Sequence, residues 1–87
     1  MTDALTTQSA PSSPDHELDA RHMLCPLPLI RASSAIGRLS AGQVLAIRAT
    51  DPGLRRDLPA WCAVNGHTLI DIIQNGPELV GYIQKEA

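Results

Sequence analysis

Two prolines separated by one residue, Pro26 and Pro28, are the strongest constraint on how this chain folds. Proline fixes its own φ near the helical value and has no N–H to donate, so it is favoured at the start of a helix. The pair therefore predicts a first helix that begins at about Pro26 and runs to about Leu39. Cys25 stands immediately before this predicted start. The positive end of a helix favours the thiolate, which is the nucleophilic form of a cysteine.

Cys25 has a second interpretation, as a small buried hydrophobic residue that happens to precede a helix. The flanking prolines and two nearby arginines, Arg21 and Arg31, favour a reactive thiol instead. Because the two prolines lack N–H groups, the amide of Leu27 between them is the expected donor to a Cys25 thiolate. The sequence therefore predicts covalent sulfur chemistry at Cys25, with Leu27 and the two prolines forming the supporting helix start.

The rest of the chain alternates between strand and helix patterns. Residues with the β-branched or alternating apolar content of strands lie at about 16–20, 43–50, 68–74 and 78–85. The dipeptide Asn75-Gly76 predicts a hairpin between the last two of these strands. The first two strands are joined through a helix, so they are expected to be parallel. The pattern predicts an α+β fold of order β-α-β-α-β-β, with two helices on one face of a four-stranded mixed sheet.

A second helix is expected from Leu54 or Asp57 to Val64. Because Pro59 disfavours a regular helix around it, Asp57 is the predicted N-cap of this helix. The helix places Cys62 on its inward face, so a core thiol is the favoured interpretation of that residue.

Composition limits the environment and the partners. The 87 residues suffice for one small domain, predicted at 15–87 and preceded by a disordered tail at 1–14 that is poor in large apolar residues. A net charge of −2 and an aromatic content of 2% give no case for direct nucleic-acid binding. Neither a signal peptide nor a membrane-spanning run is expected. Two cysteines are too few for a disulfide-stapled module, which favours reduced thiols in the cytoplasm.

Several motifs in a fixed order resemble the TusA-like (SirA-like) family of small sulfur carriers and sulfurtransferases, over about 16–85. They are Leu18-Asp19-Ala20-Arg21, Cys25-Pro26-Leu27-Pro28, Ala49-Thr50-Asp51-Pro52-Gly53, Asp57-Leu58-Pro59-Ala60-Trp61-Cys62 and Gly66-His67. The chain departs from the family at two positions. Family members usually have Gly in place of His22, and Gly takes φ values that His takes rarely. They commonly have Lys in place of Arg31, which keeps the charge and changes its geometry.

By this resemblance, the chain acts as a sulfurtransferase, and Cys25 is its reactive residue. It accepts sulfur as a persulfide from a cysteine desulfurase or rhodanese-like donor and passes it to an acceptor protein, with no cofactor. The alternative is a binding or regulatory module on the same fold, with a structural or redox-sensing Cys25. The pathway stays open among tRNA thiolation, sulfur oxidation, molybdenum-cofactor maturation and selenium metabolism. Strand order and oligomeric state stay open as well.

The residues near Cys25 also have two interpretations each. Arg21 and Arg31 are surface charges by default, and candidate docking groups for acidic partner surfaces. His22, three residues before Cys25, is a candidate base, metal ligand or pKa tuner. No metal site is expected, because two cysteines and three scattered histidines do not form a zinc pattern. Whether Cys62 resolves a Cys25 persulfide is left open.

Overall fold

The computed structural model describes residues 14–24 and 26–86. Its elements follow the predicted β-α-β-α-β-β order: β1 (His16–Ala20), α1 (Leu27–Ile36), β2 (Val44–Ala49), α2 (Leu54–Asn65), β3 (Thr68–Asn75) and β4 (Glu78–Gln84). The predicted tail at 1–14 lies outside the described residues except for Pro14, so the tail and the domain boundary stay predictions. Cys25 and Ala87 also lie outside the described residues.

The four strands form one mixed sheet in the order β1-β2-β4-β3. β1 is parallel to β2, with Leu18 opposite Ile47. β4 is antiparallel to both of its neighbours, β2 and β3. The chain therefore crosses through α1 between two parallel strands, as predicted, and the order places β1 and β3 at the edges of the sheet.

The core lies between the two helices and one face of the sheet. Every second residue of β4 is buried, as the two-residue repeat of a strand requires when one face is covered. Apart from one cysteine, the buried side chains of the core are aliphatic: Ala20, Ala32, Ala35, Ile36, Leu45, Ile47, Ala49, Leu54, Leu58, Cys62, Leu79 and Ile83. The predicted two-layer α+β fold is confirmed. In the described part of the chain, neither helix is long and apolar enough to cross a bilayer.

α1 begins where the prolines predict it. Pro26 occupies the N-cap position, and Pro28 is the second residue of the helix. The helix ends at Ile36, three residues before the predicted end at Leu39. Gly37 follows Ile36 and has a low helix propensity, and the N–H of Leu39 then donates to a carbonyl three residues back at 3.1 Å. The chain therefore leaves α1 through a tighter turn.

α2 begins earlier than predicted. Its N-cap is Gly53, so the assignment of Asp57 as the N-cap is wrong. Asp51 explains the early start: its Oδ1 accepts the N–H of Gly53 at 3.0 Å, and its carbonyl accepts the first N–H of the helix at 3.1 Å. Pro59 lies inside the helix, at an exposed position where water can solvate the carbonyl that loses its partner.

β3 and β4 form the predicted hairpin. Asn75 pairs with Glu78, so the two-residue turn is Gly76-Pro77. Gly76 has a φ of +62°, a value that the first residue of a tight hairpin turn often needs and that Gly adopts without a steric cost. The dipeptide Asn75-Gly76 therefore marks this turn, displaced by one residue.

The two ends of the sheet carry different parts of the chain. Because β1 and β2 are parallel, the loops that follow them lie at the same end, which we call the loop end. The opposite end holds the first and last described segments. There the N–H of Asp15 donates to the carbonyl of Val44 at 2.9 Å, and the N–H of Lys85 donates to the carbonyl of Gln43 at 2.8 Å.

Candidate functional site

A tight turn leads from β1 towards α1 at the loop end. The N–H of Met23 donates to the carbonyl of Ala20 at 3.3 Å, which makes His22 the third residue of a β-turn. His22 has a φ of +67°, and it is the one non-glycine residue with a positive φ among the described residues. A type II turn requires such a φ at this position, where Gly or Asn is the usual choice.

Thr50 ties this turn to the end of β2. The N–H of His22 donates to Oγ1 of Thr50 at 2.9 Å, across 28 positions of sequence. The β1–α1 loop and the β2–α2 loop are therefore joined directly, and the conformation at residue 22 is held by a backbone group rather than by the imidazole.

Cys25 itself lies outside the described residues, between Leu24 and Pro26 in the chain. Its neighbours define the surface around it. The side chains of Leu24, Leu27 and Ile30 are 76%, 37% and 58% exposed. Large apolar side chains are therefore accessible on both sides of the cysteine in the sequence.

The backbone amides at the start of α1 are already used. The N–H of Leu27 donates to the carbonyl of Leu24 at 2.9 Å, and the N–H groups of Leu29 and Ile30 both donate to the carbonyl of Pro26 at 3.1 Å. The Leu27 amide therefore already has a backbone acceptor, and because Cys25 lies outside the described residues, a hydrogen bond from this amide to a Cys25 thiolate stays a prediction. This helix start has fewer unpaired N–H groups than an ordinary one.

The two prolines of the motif have different surroundings. Pro26 is exposed, whereas the side chain of Pro28 is among the largest that are fully buried. Both restrict the backbone at the helix start, and Pro28 in addition packs into the protein.

Arg21 is engaged by a carboxylate of its own strand end. Its Nε donates to Oδ1 of Asp19, and a terminal guanidinium nitrogen donates to Oδ2, both at 2.8 Å. These hydrogen bonds hold the pKa of Asp19 far below its usual range and raise the pKa of Arg21. The pair carries no net charge, so Arg21 contributes little positive potential to the loop end.

A second ion pair lies on the neighbouring strands. Nε of Arg48 donates to Oε2 of Glu78 at 2.6 Å, joining β2 to β4. The hydrogen bond from Arg48 lowers the pKa of Glu78 and raises the pKa of Arg48. Asp19 and Glu78 are therefore both ionised at neutral pH.

Unlike Arg21, the side chains of Arg31 and His22 have no polar partner among the described residues. Arg31 lies exposed on α1, and within residues 14–24 and 26–86 it makes no ion pair. The His22 side chain is exposed and makes no hydrogen bond in the same part of the chain. Of the charged residues flanking Cys25 in sequence, Arg31 is thus the one whose charge is available to a partner.

Cys62 lies on the inward face of α2 and is 2% exposed. Burial raises the pKa of its thiol to about 11. The prediction of a core thiol is confirmed, and the burial argues against a rapid reaction at this sulfur. Over the described residues, no three His, Cys, Asp or Glu side chains come together as a metal site would require.

Sequence reasoning missed two residues that shape the site, Asp19 and Thr50. Both stand at strand ends inside the motifs of the family resemblance, Asp19 two residues before Arg21 and Thr50 just after β2. The sequence shows that both residues are polar and lie near strand ends, which is a signal that they could contact the adjacent loops. Their partners depend on how two strands align, which no local pattern reports.

The model of the sulfurtransferase TusA family matches residues 16–85, which span all six elements of the fold. The chain belongs to the TusA family. Individual relatives match this chain over a similar length. The Bacillus subtilis (strain 168) protein YrkI is 41% identical over 71 residues, which cover 82% of this chain and 95% of YrkI.

A sulfur carrier protein TusA from Allochromatium vinosum is 39% identical over 71 residues, covering 82% of this chain and 93% of that protein. The crystal structure of the SirA-like protein from Desulfitobacterium hafniense superimposes with a TM-score of 0.72 at 23% identity. The superposition covers 83% of this chain and 99% of the SirA-like chain. At that identity the likeness shows the shared fold, and the TusA assignment rests on the sequence matches.

Proposed function

We propose that this chain is a sulfur carrier that holds sulfur as a persulfide on Cys25. The observation that carries the proposal is the burial of the other thiol. The chain has two cysteines, and Cys62 is 2% exposed with a raised pKa. A carrier in the TusA family needs a thiol that its partners can reach, and Cys25 is the remaining candidate.

The proposed reaction is a transfer between two sulfur atoms. The Cys25 thiolate attacks the outer sulfur of a donor persulfide. A new S–S bond forms on Cys25, the donor's S–S bond breaks, and its electron pair leaves on the donor sulfur as a thiolate. Cys25 is thereby oxidised to the persulfide, and the donor persulfide is reduced to a thiol. An acceptor then takes the outer sulfur from Cys25 in the same way.

The neighbours of Cys25 support this role in different ways. Pro26, Leu27 and Pro28 set a fixed helix start beside the cysteine. Because the amides there already have partners, positive charge at the site has to come from side chains. Arg31 has no ion-pair partner among the described residues, so its charge is available to an acidic partner protein, whereas Arg21 is neutralised by Asp19.

The partners that fit this reaction are a sulfur-donor protein, such as a cysteine desulfurase or a rhodanese-like protein, and a sulfur-acceptor protein. The side chains of Leu24, Leu27 and Ile30 are apolar and exposed, so their burial against such a partner protein would be favourable. The reaction needs a free thiol, so we place it in a reducing compartment such as the cytoplasm.

Mass spectrometry after incubation with a donor persulfide tests the proposal. The native protein is expected to gain the mass of one sulfur atom, and a reducing agent should remove it. Cys25→Ser should gain nothing, whereas the matched variant Cys62→Ser should load like the native protein. If the native protein gains no sulfur, or if Cys25→Ser still loads, the carrier proposal fails and a binding or regulatory module becomes the better interpretation.

A further inference from the structure

β3 is the outermost strand on one side of the sheet, next to β4. It is eight residues long and aliphatic in its middle, and Asp71 is the one charged residue in the strand. The strand at the opposite edge, β1, is five residues long and carries both Glu17 and Asp19. A long apolar edge tends to pair with a strand of another molecule unless a local feature blocks it. The outer side of β3, which we call the β3 edge, is therefore the place to look for such a feature.

A bulge interrupts the pairing of β3 with β4. Leu69 and Asp71 lie opposite two consecutive residues of β4, so Ile70 between them is an extra residue. The extra residue shifts the alternation of side chains by one position, and Leu69 and Ile72 both pack against the core although they are three positions apart. Residues 71–75 then pair with β4 in a regular antiparallel register. The bulge therefore leaves 71–75 as the regular part of the β3 edge.

This regular part directs the backbone groups of Ile72 and Gln74 away from β4. Residues in an antiparallel pair of strands alternate between those that exchange hydrogen bonds with the neighbouring strand and those that do not. Asn75 and Glu78 close a two-residue turn and are of the first kind. Ile73 is the next residue of that kind, so Ile72 and Gln74 face outward. A strand added at the β3 edge would have to form its hydrogen bonds with these two residues.

Asp71 already occupies one of these outward groups. Its Oδ1 accepts the N–H of the next residue, Ile72, at 2.8 Å. The carboxylate therefore lies along the β3 edge, in the place that the carbonyl oxygen of an added strand would take. An added strand would have to displace this carboxylate and hold its own carbonyl oxygen close to a negative charge. Both requirements disfavour pairing at this edge.

We propose that Asp71 keeps the β3 edge from pairing with the β3 edge of a second copy of this chain. The edge is complementary to itself, because its two outward residues, Ile72 and Gln74, are placed symmetrically about Ile73. Two copies related by a two-fold axis would meet antiparallel, with Ile73 of one copy opposite Ile73 of the other. This side chain is 39% exposed, so the pairing would bury apolar surface that the single chain leaves in water. The inference is independent of the carrier function.

The test compares the association of the native protein with that of Asp71→Val by sedimentation equilibrium. Valine suits a strand and has no oxygen to accept the N–H of Ile72. At about 100 µM we expect the native protein to be a monomer and the variant to be a dimer, with a dissociation constant at least about tenfold lower. Asp71→Asn keeps an oxygen for that N–H and should stay monomeric. Asp71→Ala also lacks the oxygen and gives the same test if the valine variant does not fold.

Control variants locate the contact. Glu17→Val removes an acidic side chain and adds the same valine on the opposite edge strand, and it should stay monomeric. Ile73→Lys combined with Asp71→Val would bring two ammonium groups opposite each other and should restore the monomer. Val64→Lys combined with Asp71→Val adds the same charge at an exposed position on α2 and should leave the dimer intact.

Amide hydrogen exchange gives a second readout of the pairing. In the Asp71→Val dimer, the amides of Ile72 and Gln74 should exchange at least about tenfold more slowly than in the Asp71→Val, Ile73→Lys monomer, because both would donate to the second copy. Unspecific aggregation would not protect these two amides selectively.

A folded Asp71→Val or Asp71→Ala that stays monomeric would overturn the proposal, and so would a native protein that already dimerises through β3. Equal association of Asp71→Asn and Asp71→Val would show that the hydrogen bond to the N–H of Ile72 does not close the edge. Association that survives Ile73→Lys, or that leaves the amides of Ile72 and Gln74 unprotected, would place the contact elsewhere and contradict the pairing.

Discussion

Gly81 of β4 lies directly beneath Leu58 of α2. A Cβ placed on Gly81 would fall well inside the van der Waals contact distance of Cδ2 of Leu58. Leu58 is fully buried and its side chain has little room to move. The missing side chain at residue 81 therefore sets how closely α2 approaches the sheet.

Gly81→Ala should lower the free energy of unfolding by about 1–3 kcal/mol, because the added methyl group overpacks the interface. Urea unfolding followed by the fluorescence of Trp61 measures it. The matched control is Gly37→Ala, since Gly37 is exposed and has a φ of −62°, which Ala adopts easily. That variant should be neutral or more stable by up to about 1 kcal/mol. Equal losses in the two variants would contradict the close packing of α2 on β4.

The two prolines of the motif should differ in their effect on stability. Pro28→Ala removes a fully buried ring, and we expect it to lower the free energy of unfolding by about 1–2 kcal/mol. Pro26→Ala removes an exposed ring and should cost about 0.5–1 kcal/mol, mainly through a more flexible unfolded chain. Thermal and urea unfolding distinguish the two. A larger loss for Pro26→Ala than for Pro28→Ala would be inconsistent with the packing.

Cys62 should make the protein less stable at alkaline pH. In the folded protein, burial raises the pKa of this thiol to about 11. In the unfolded chain, the pKa of the same thiol is about 8.5. Between these values the unfolded chain loses the proton and the folded protein keeps it, so stability is full below about pH 8.5 and falls as the pH rises towards 11.

We expect this effect to reach about 2 kcal/mol by pH 10.5. It is measured as the difference between urea unfolding at pH 8 and at pH 10.5, in the native protein and in Cys62→Ala. All other side chains are the same in the two proteins, so the comparison isolates the thiol of Cys62. An identical loss with and without Cys62 would show that the thiol ionises as easily in the folded state as in the unfolded state.

Reversal of the charge at Arg31 should slow loading from a protein donor. Arg31→Glu is expected to reduce the second-order loading rate about 3–10-fold at low salt, and the effect should weaken in 0.5 M salt because screening shortens the reach of the charge. Arg38→Glu is the control, since it makes the same charge change at an exposed position beyond the other end of α1. Stopped-flow or quenched loading with a cysteine desulfurase measures both. The docking role of Arg31 is wrong if the two variants behave alike.

Much of the fold could be predicted because its signals are local. The strand at 16–20, the helix start at Pro26 and the turn after Asn75 each follow from a few adjacent residues. The start of α2 could not be predicted in the same way. Pro59 is a strong local signal against a helix. The helix nevertheless starts before it, because the Asp51 side chain closes the preceding turn and because Pro59 lies at an exposed position. The strand order also depends on long-range pairing that the sequence leaves open.

The residues of the candidate site could be predicted from the sequence, but their hydrogen bonds and ion pairs could not. The Cys25 motif marks the place, but the hydrogen bond of the Leu27 amide and the pairing of Arg21 with Asp19 depend on the exact path of the loop. The positive φ at His22 accompanies a hydrogen bond to Thr50, which joins two strand ends that are distant in sequence. Local patterns report none of these contacts.

The segments around Asp15 and Lys85 meet beside Gln43 and Val44, at the end of the sheet opposite to the turn that holds His22. The five residues of β1 alone separate the two ends by about 16 Å. A purification tag, a fluorescent reporter or a second domain joined directly to either of these segments would therefore start at the end of the sheet opposite to the β1–α1 loop. The closeness of the two segments makes the domain suited to circular permutation, in which a short linker joins them and new ends are cut elsewhere.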